Sequence, residues 1–184
     1  MGSTVHDPKQ PFALHSNCCH NHLMKDVFRI TNVDPIIIEA ERTRVLRLIE
    51  SVVPSEHVHE VGSTAVQGVV GKQDLDYLVL VPKQDFGGTR AVLDRLFRRN
   101  PEQLSNDVYQ GYTVSSDLDV SVQLTVAGGP NDTFLKFVDR LRGSEELRTR
   151  YNQLKADFDG RPMCEYRDAK REFIETALSG VINS

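Results

Sequence analysis

The pair Gly62-Ser63, ten residues, and then Asp74-Leu75-Asp76 is the arrangement in this chain best suited to chemistry. Two carboxylates at i and i+2 on a strand share one face, about 7 Å apart at the backbone, so their oxygens can converge on a cation between them. Mg²⁺, a hard ion held by one or two carboxylates and completed by substrate phosphates, suits that pair. Gly62 lets a ligand approach the backbone closely, and the N–H groups of a Gly-Ser turn opening a short helix can hold a phosphate. The two halves then address the two ends of a metal–nucleotide complex. Asp119, on a later alternating segment, makes three carboxylates, enough for two metals, if its strand lies beside the first. Lys72 precedes the acidic pair and reads either as a point charge for a triphosphate or as an exposed turn lysine. An isolated Asp-x-Asp is most often a solvated turn, and it is the Gly-Ser partner at this spacing that raises it above that. Asp117, Ser121 and Gln123 share the face of Asp119, which is also how a simply wet face looks.

The elements that must position these residues follow from periodicity. His57-Val58-His59-Glu60-Val61 alternates as a half-buried strand and runs into Gly62, and Leu75 to Val81 forms a buried strand ended by Pro82. Gly68, Gly71 and Gln73 bracket the turn between them. Residues 117–124 alternate strictly, with Leu118, Val120, Val122 and Leu124 on one side. Before the strands, Ile38, Val45, Leu46, Ile49, Val52 and Val53 form a helical stripe opened by Asp34-Pro35 and closed by Pro54. Residues 89–99 predict a surface helix that includes Arg98 and Arg99. After Gly128-Gly129 comes a helix carrying Phe134 to Leu141. A second opens at Ser144 and runs to Phe158, and a last runs from about Tyr166 to Gly180. Strands in the middle and helices at the end predict an α+β domain.

Composition bounds the rest. A chain of 184 residues, 39% hydrophobic and 26% charged, holds one domain, placed at 26–184 behind an irregular arm at 1–25. The net charge of −4 and the lack of a basic stripe interleaved with aromatics argue against a nucleic-acid acceptor. No apolar run approaches a membrane span, the N-terminus has no signal-like core, and Cys18, Cys19 and Cys164 make a poor disulfide framework, so a cytoplasmic location is expected. Cys18-Cys19-His20-Asn21-His22 has the composition but not the spacing of a zinc site. No G-x-S-x-G elbow supports a serine triad.

The segment Val61-Gly62-Ser63-Thr64-Ala65-Val66, with Gly68, Lys72 and Asp76-Tyr77-Leu78-Val79, resembles the GrpB family, a branch of the polymerase-β-type nucleotidyltransferase superfamily. Phe137, Asp139, Leu141 and Arg142, then Leu147, Tyr151, Leu154 and Lys155, and then Tyr166, Lys170, Phe173 and Ile174, resemble its helical part. The resemblance implies a nucleotidyltransferase-like mixed β-sheet flanked by helices, with a helical C-terminal part. It places Gly62 and Ser63 near nucleotide phosphates, carries the metal-binding role to Asp74 and Asp76, and makes Asp119 the third carboxylate. The chain departs from many relatives in His59-Glu60, in Gln67 and Gln73 where prolines are common, and in Ser121-x-Gln123 where the family often has His-x-His.

The expected function is Mg²⁺-dependent transfer of a nucleoside monophosphate from a nucleoside triphosphate to an acceptor hydroxyl whose identity the sequence does not give. In that reading Asp74, Asp76 and Asp119 are catalytic and metal-binding, and Gly62, Ser63 and Lys72 hold the nucleotide. The alternative is a non-catalytic nucleotide- or partner-binding module on the same fold. A third reading gives the Cys/His arm a metal and a recruited partner.

Overall fold

The computed structural model describes residues 26–129 and 132–180. Two strands set its centre: β2 (Leu75–Val81) and β5 (Val120–Val126) run parallel, with Leu75 opposite Val120 and Asp76 opposite Ser121. Around them β1 (Val58–Val61), β3 (Arg98–Arg99) and β4 (Tyr109–Thr113) complete a sheet in the order β1-β2-β5-β4-β3, and every other pairing is antiparallel. The fold is α+β, a five-stranded mixed sheet flanked by helices with a helical C-terminal part, as expected from the sequence.

Period-2 alternation decides what each face of the sheet carries. On β2, Leu75, Tyr77, Val79 and Val81 point to the layer of α1 (Pro35–Glu50) and α2 (Phe86–Leu96), where Ile38, Val45, Ile49, Phe86 and Leu93 are buried against them. Asp76, Leu78 and Leu80 occupy the other face. There Leu78 packs with Phe137, Val138 and Leu141 of α3 (Thr133–Gly143), Leu147 and Tyr151 of α4 (Glu145–Phe158) and Ala177 of α5 (Met163–Ser179). The helical layer therefore covers part of the face that carries Asp76.

Local caps account for three of the helix ends. Asp34 accepts from the Ile36 N–H at 2.9 Å with Pro35 in the first turn, and Ser144 accepts from Leu147 N–H at 3.1 Å. Gly180 closes α5 in the left-handed region at φ 75°. Several expected boundaries move. The first helix ends at Glu50 rather than Val53, and His57 lies in a 3₁₀ turn ahead of β1. The helix of residues 89–99 is α2, and it stops at Leu96 because Phe97 turns extended; Arg98 and Arg99 form the edge strand β3 instead of a helix face. The 117–124 strand begins only at Val120, so Asp119 stands just before β5. Neither β3 nor β4 was expected; Tyr109–Thr113 lacks clean alternation because four of its five residues are buried.

Residues 26–33, ahead of α1, run as a strap. Phe28 N–H donates to Arg161 O at 2.9 Å, Met163 N–H to Asp26 O at 2.8 Å, and Gly160 N–H to Phe28 O at 2.9 Å, which ties the strap to the α4–α5 turn. The Phe28 ring, 1% exposed, stacks on Tyr166 with centroids 3.7 Å apart. The arm at 1–25, with Cys18-Cys19-His20-Asn21-His22, lies outside the described residues. Among the described residues no helix is long and apolar enough to cross a membrane.

Candidate functional site

The β1–β2 connection is a string of turns from Gly62 to Gly68, with no helix behind the Gly-Ser pair. The expected short helix after the Gly-Ser turn is in this respect corrected: residues 62–68 form successive turns and do not open a helix. Gly62 is required for two reasons. Its φ is +77°, and a Cβ built on it would meet Asp76 Oδ2 at 2.5 Å. Val61, just before it, is the register partner of Asp76 across β1 and β2, which brings the turn and the carboxylate together.

Three sets of hydrogen bonds fix the rest of this loop. Thr64 Oγ1 donates to Asp74 O at 2.9 Å and closes it on itself. From α4, Asn152 Nδ2 donates to Gly68 O at 2.7 Å while its Oδ1 accepts from Val70 N–H at 3.0 Å. From the strap, Thr31 N–H donates to Gly71 O at 3.0 Å, Thr31 Oγ1 donates to Lys72 O, and Gln73 Oε1 accepts from Val33 N–H. Gln73 holds a φ of 59°, unusual for a residue with a Cβ, and the bond to Val33 helps to keep it there.

Gly62, Ser63, Lys72, Asp74, Asp76 and Asp119 all line one cleft of about 360 Å³ between the open part of the sheet face and the helical layer. Asp76 sits on its floor. The Ser121 hydroxyl donates to Asp76 Oδ1 at 2.5 Å from the adjacent parallel strand. Burial, then the charge of Asp74, pushes the Asp76 carboxyl up to about 6, against the pull of Ser121 and Lys170. A site that crowds carboxylates in this way lowers its own cost by taking up a cation.

Asp119 reaches the same cleft, since Leu75 N–H donates to Asp119 O at 2.9 Å where β2 and β5 begin. Its side chain is paired: Lys72 Nζ donates to Asp119 Oδ2 at 2.9 Å. Burial is the largest single influence on the Lys72 ammonium and depresses it, but the hydrogen bond and charge of Asp119, together with the charges of Asp74 and Asp26, outweigh it and hold the group above its ordinary value. Among the described residues no three His, Cys, Asp or Glu side chains are gathered closely enough to hold a metal ion. Asp74 and Asp76 are thus a two-carboxylate, all-oxygen donor set beside a cation-paired third. Such a pair fits one Mg²⁺ whose remaining ligands are water and phosphate oxygens, and it does not by itself fit a preassembled two-metal centre.

The helical wall opposite carries cations. Lys170 and Arg167 of α5 line the cleft, and Lys155 of α4 lies behind Ser63, fully buried. Lys155 Nζ donates to Ser63 Oγ and to Val70 O, and it lies 4.5 Å from the centre of the Tyr151 ring. Burial, reinforced by Lys170, pulls the ammonium down to about 7, with Asp74 and Asp76 opposing. In the sequence Lys155 stands out only through the family resemblance. The usable signal was its place on the stripe Leu147, Tyr151, Lys155, spaced four residues apart on the buried side of α4. Ser121 is the other contributor that composition alone did not reveal.

The family model described as GrpB protein matches residues 33–179 of this chain. A UPF0157 protein of Vibrio cholerae serotype O1 is 32% identical over 131 residues, which cover 71% of this chain and 70% of that protein. The crystal structure of a conserved GrpB protein from Enterococcus faecalis superposes with a TM-score of 0.58 at 19% identity, over 82% of this chain and 97% of that one. At that identity the structural likeness speaks for the fold alone.

Proposed function

The chain belongs to the GrpB family, and from that premise we propose that it is a Mg²⁺-dependent nucleotidyltransferase, moving a nucleoside monophosphate from a nucleoside triphosphate to an acceptor hydroxyl. The observation that carries this reading is the contact between Gly62 and Asp76. The turn suited to phosphates and the carboxylate suited to a cation are so close that a Cβ at residue 62 would fall 2.5 Å from Asp76 Oδ2.

Asp74 and Asp76 would hold the ion, with Ser121 fixing one oxygen of Asp76. Mg²⁺, when bound, supplies positive charge to the polyphosphate and to the attacking oxygen. Ser63 and the turn around it hold the phosphates, and Lys72 adds a point charge at the same edge. The acceptor oxygen bonds to the α-phosphorus as the bond to the bridging oxygen breaks, and pyrophosphate leaves with the electron pair. Asp119, the carboxylate of the three not needed for the ion, receives the acceptor proton. Positioning and charge stabilisation carry the rate, with no covalent enzyme intermediate.

The test is calorimetric titration with a panel of non-hydrolysable nucleoside triphosphates, with and without Mg²⁺, on the wild type and on Asp74→Asn/Asp76→Asn. Binding that needs both the ion and the aspartates supports the reading. Binding indifferent to both, in a folded double variant, overturns it in favour of a non-catalytic nucleotide-binding module; no binding at all removes the nucleotide.

A further inference from the structure

Among the described residues, Lys155 is the one cation of the cleft region whose side chain is fully buried. An ammonium has three N–H donors and no acceptor. Two point at Ser63 Oγ and Val70 O, and the group stands over the face of Tyr151, 4.5 Å from its centre. Gly71 leaves the room this requires, because a Cβ there would lie 3.0 Å from both Lys155 Nζ and Ser63 Oγ. Lys155 borders the same cleft but is 0% exposed, so what it presents to a ligand is the group it holds.

What it holds is a hydroxyl with one proton. Ser63 Oγ accepts from Lys155, and a protonated lysine cannot take a proton bond in return. Among the described residues no protein acceptor takes the Ser63 O–H, and Ser63 lines the cleft. We propose that Lys155 is a positioning residue that fixes Ser63 as an acceptor on its buried side, so that the Ser63 hydroxyl offers its only proton to a phosphate oxygen in the cleft. The charged groups facing Lys155 are Lys170 from α5 and Asp74 and Asp76 from β2 and the loop before it. The ammonium, pulled down to about 7, keeps its proton at about pH 6. This inference rests on the phosphate reading of Gly62-Ser63 given above.

The test uses the full chain and inorganic tripolyphosphate with Mg²⁺ as the probe, titrated at about pH 6, on the wild type, Lys155→Met, Ser63→Ala and the double variant. Each single change is expected to weaken binding by about tenfold, the loss of one hydrogen bond to a charged group. The double variant is expected to bind no more weakly than Ser63→Ala alone, since Lys155 works only through that hydroxyl. Where Lys155→Met does not fold, Lys155→Gln replaces it, and its carboxamide, still a donor toward Ser63, is expected to retain more of the affinity than Ser63→Ala does. Additive losses, unchanged binding in folded Lys155→Met, or Lys155→Gln as weak as Ser63→Ala would overturn the proposal while leaving the nucleotide reading intact. No binding of the probe by the wild type overturns both.

Discussion

Asp76 and Ser121 stand opposite each other on the two central parallel strands, and the Ser121 hydroxyl donates to Asp76 Oδ1 at 2.5 Å. That bond lowers the cost of a carboxylate that burial and Asp74 together push up to about 6, yet it does not cancel it. The protein carries a destabilised charge on the floor of its cleft. Asp76→Asn is therefore expected to stabilise the fold at pH 7 by about 1–2 kcal/mol while reducing nucleotidyl transfer by about a hundredfold or more. The sign follows from proton counting. A carboxyl whose folded value exceeds its ordinary 3.8 binds more protons folded than unfolded, so its contribution to stability falls as pH rises from about 4 to about 6. Urea denaturation at pH 4 and pH 7 checks this, with the variant gaining only at the higher pH.

Gly62→Ala tests the close approach of turn and carboxylate. The substitution adds a Cβ at φ +77° and 2.5 Å from Asp76 Oδ2, two independent penalties. The expected cost is about 2 kcal/mol or more of stability, with nucleotide affinity falling because the turn must move. Thermal melting and titration of the same sample read both.

Lys72→Met should separate ligand binding from folding. The ion pair with Asp119 is solvent-exposed on both sides, at 35% and 67% side-chain exposure, so its loss is expected to change stability by less than about 1 kcal/mol. Affinity for a nucleoside triphosphate is expected to fall by about tenfold, and the salt dependence of binding to become shallower. A variant that binds with unaltered affinity and salt dependence would return Lys72 to the role of a turn lysine.

Phe28→Ala probes the strap. The ring is 1% exposed and stacked on Tyr166, and the residues after it hold the backbone at Gly71 and Lys72. Truncation is expected to cost about 3–4 kcal/mol and to weaken nucleotide binding as the loop ahead of Asp74 loses its outer support. Denaturant midpoints compared with those of Thr31→Val, which removes only the bond to Lys72 O, divide the packing effect from the hydrogen-bond effect.

The sequence by itself determined the helices and the two strands nearest the chemistry, because their signals are local: Asp34-Pro35 and Ser144 as caps, Gly180 as a stop, strict alternation through Val120 to Leu124. It also placed Gly62, Ser63, Asp74 and Asp76 at strand ends, where a short motif has few conformations open to it. Tertiary structure alone decided the rest. Asp119 pairs with Lys72 across 47 positions, and Lys155 reaches Ser63 across 92, contacts that depend on strand register and on how α4 lies over the sheet. The two exposed arginines of β3 are too few to show a period, and β4 was hidden for the same reason as those contacts. Burial from both sides erases the polar–apolar alternation by which a strand is read, and the pairing that replaces it lies in the neighbouring chain segment, not in the strand's own residues.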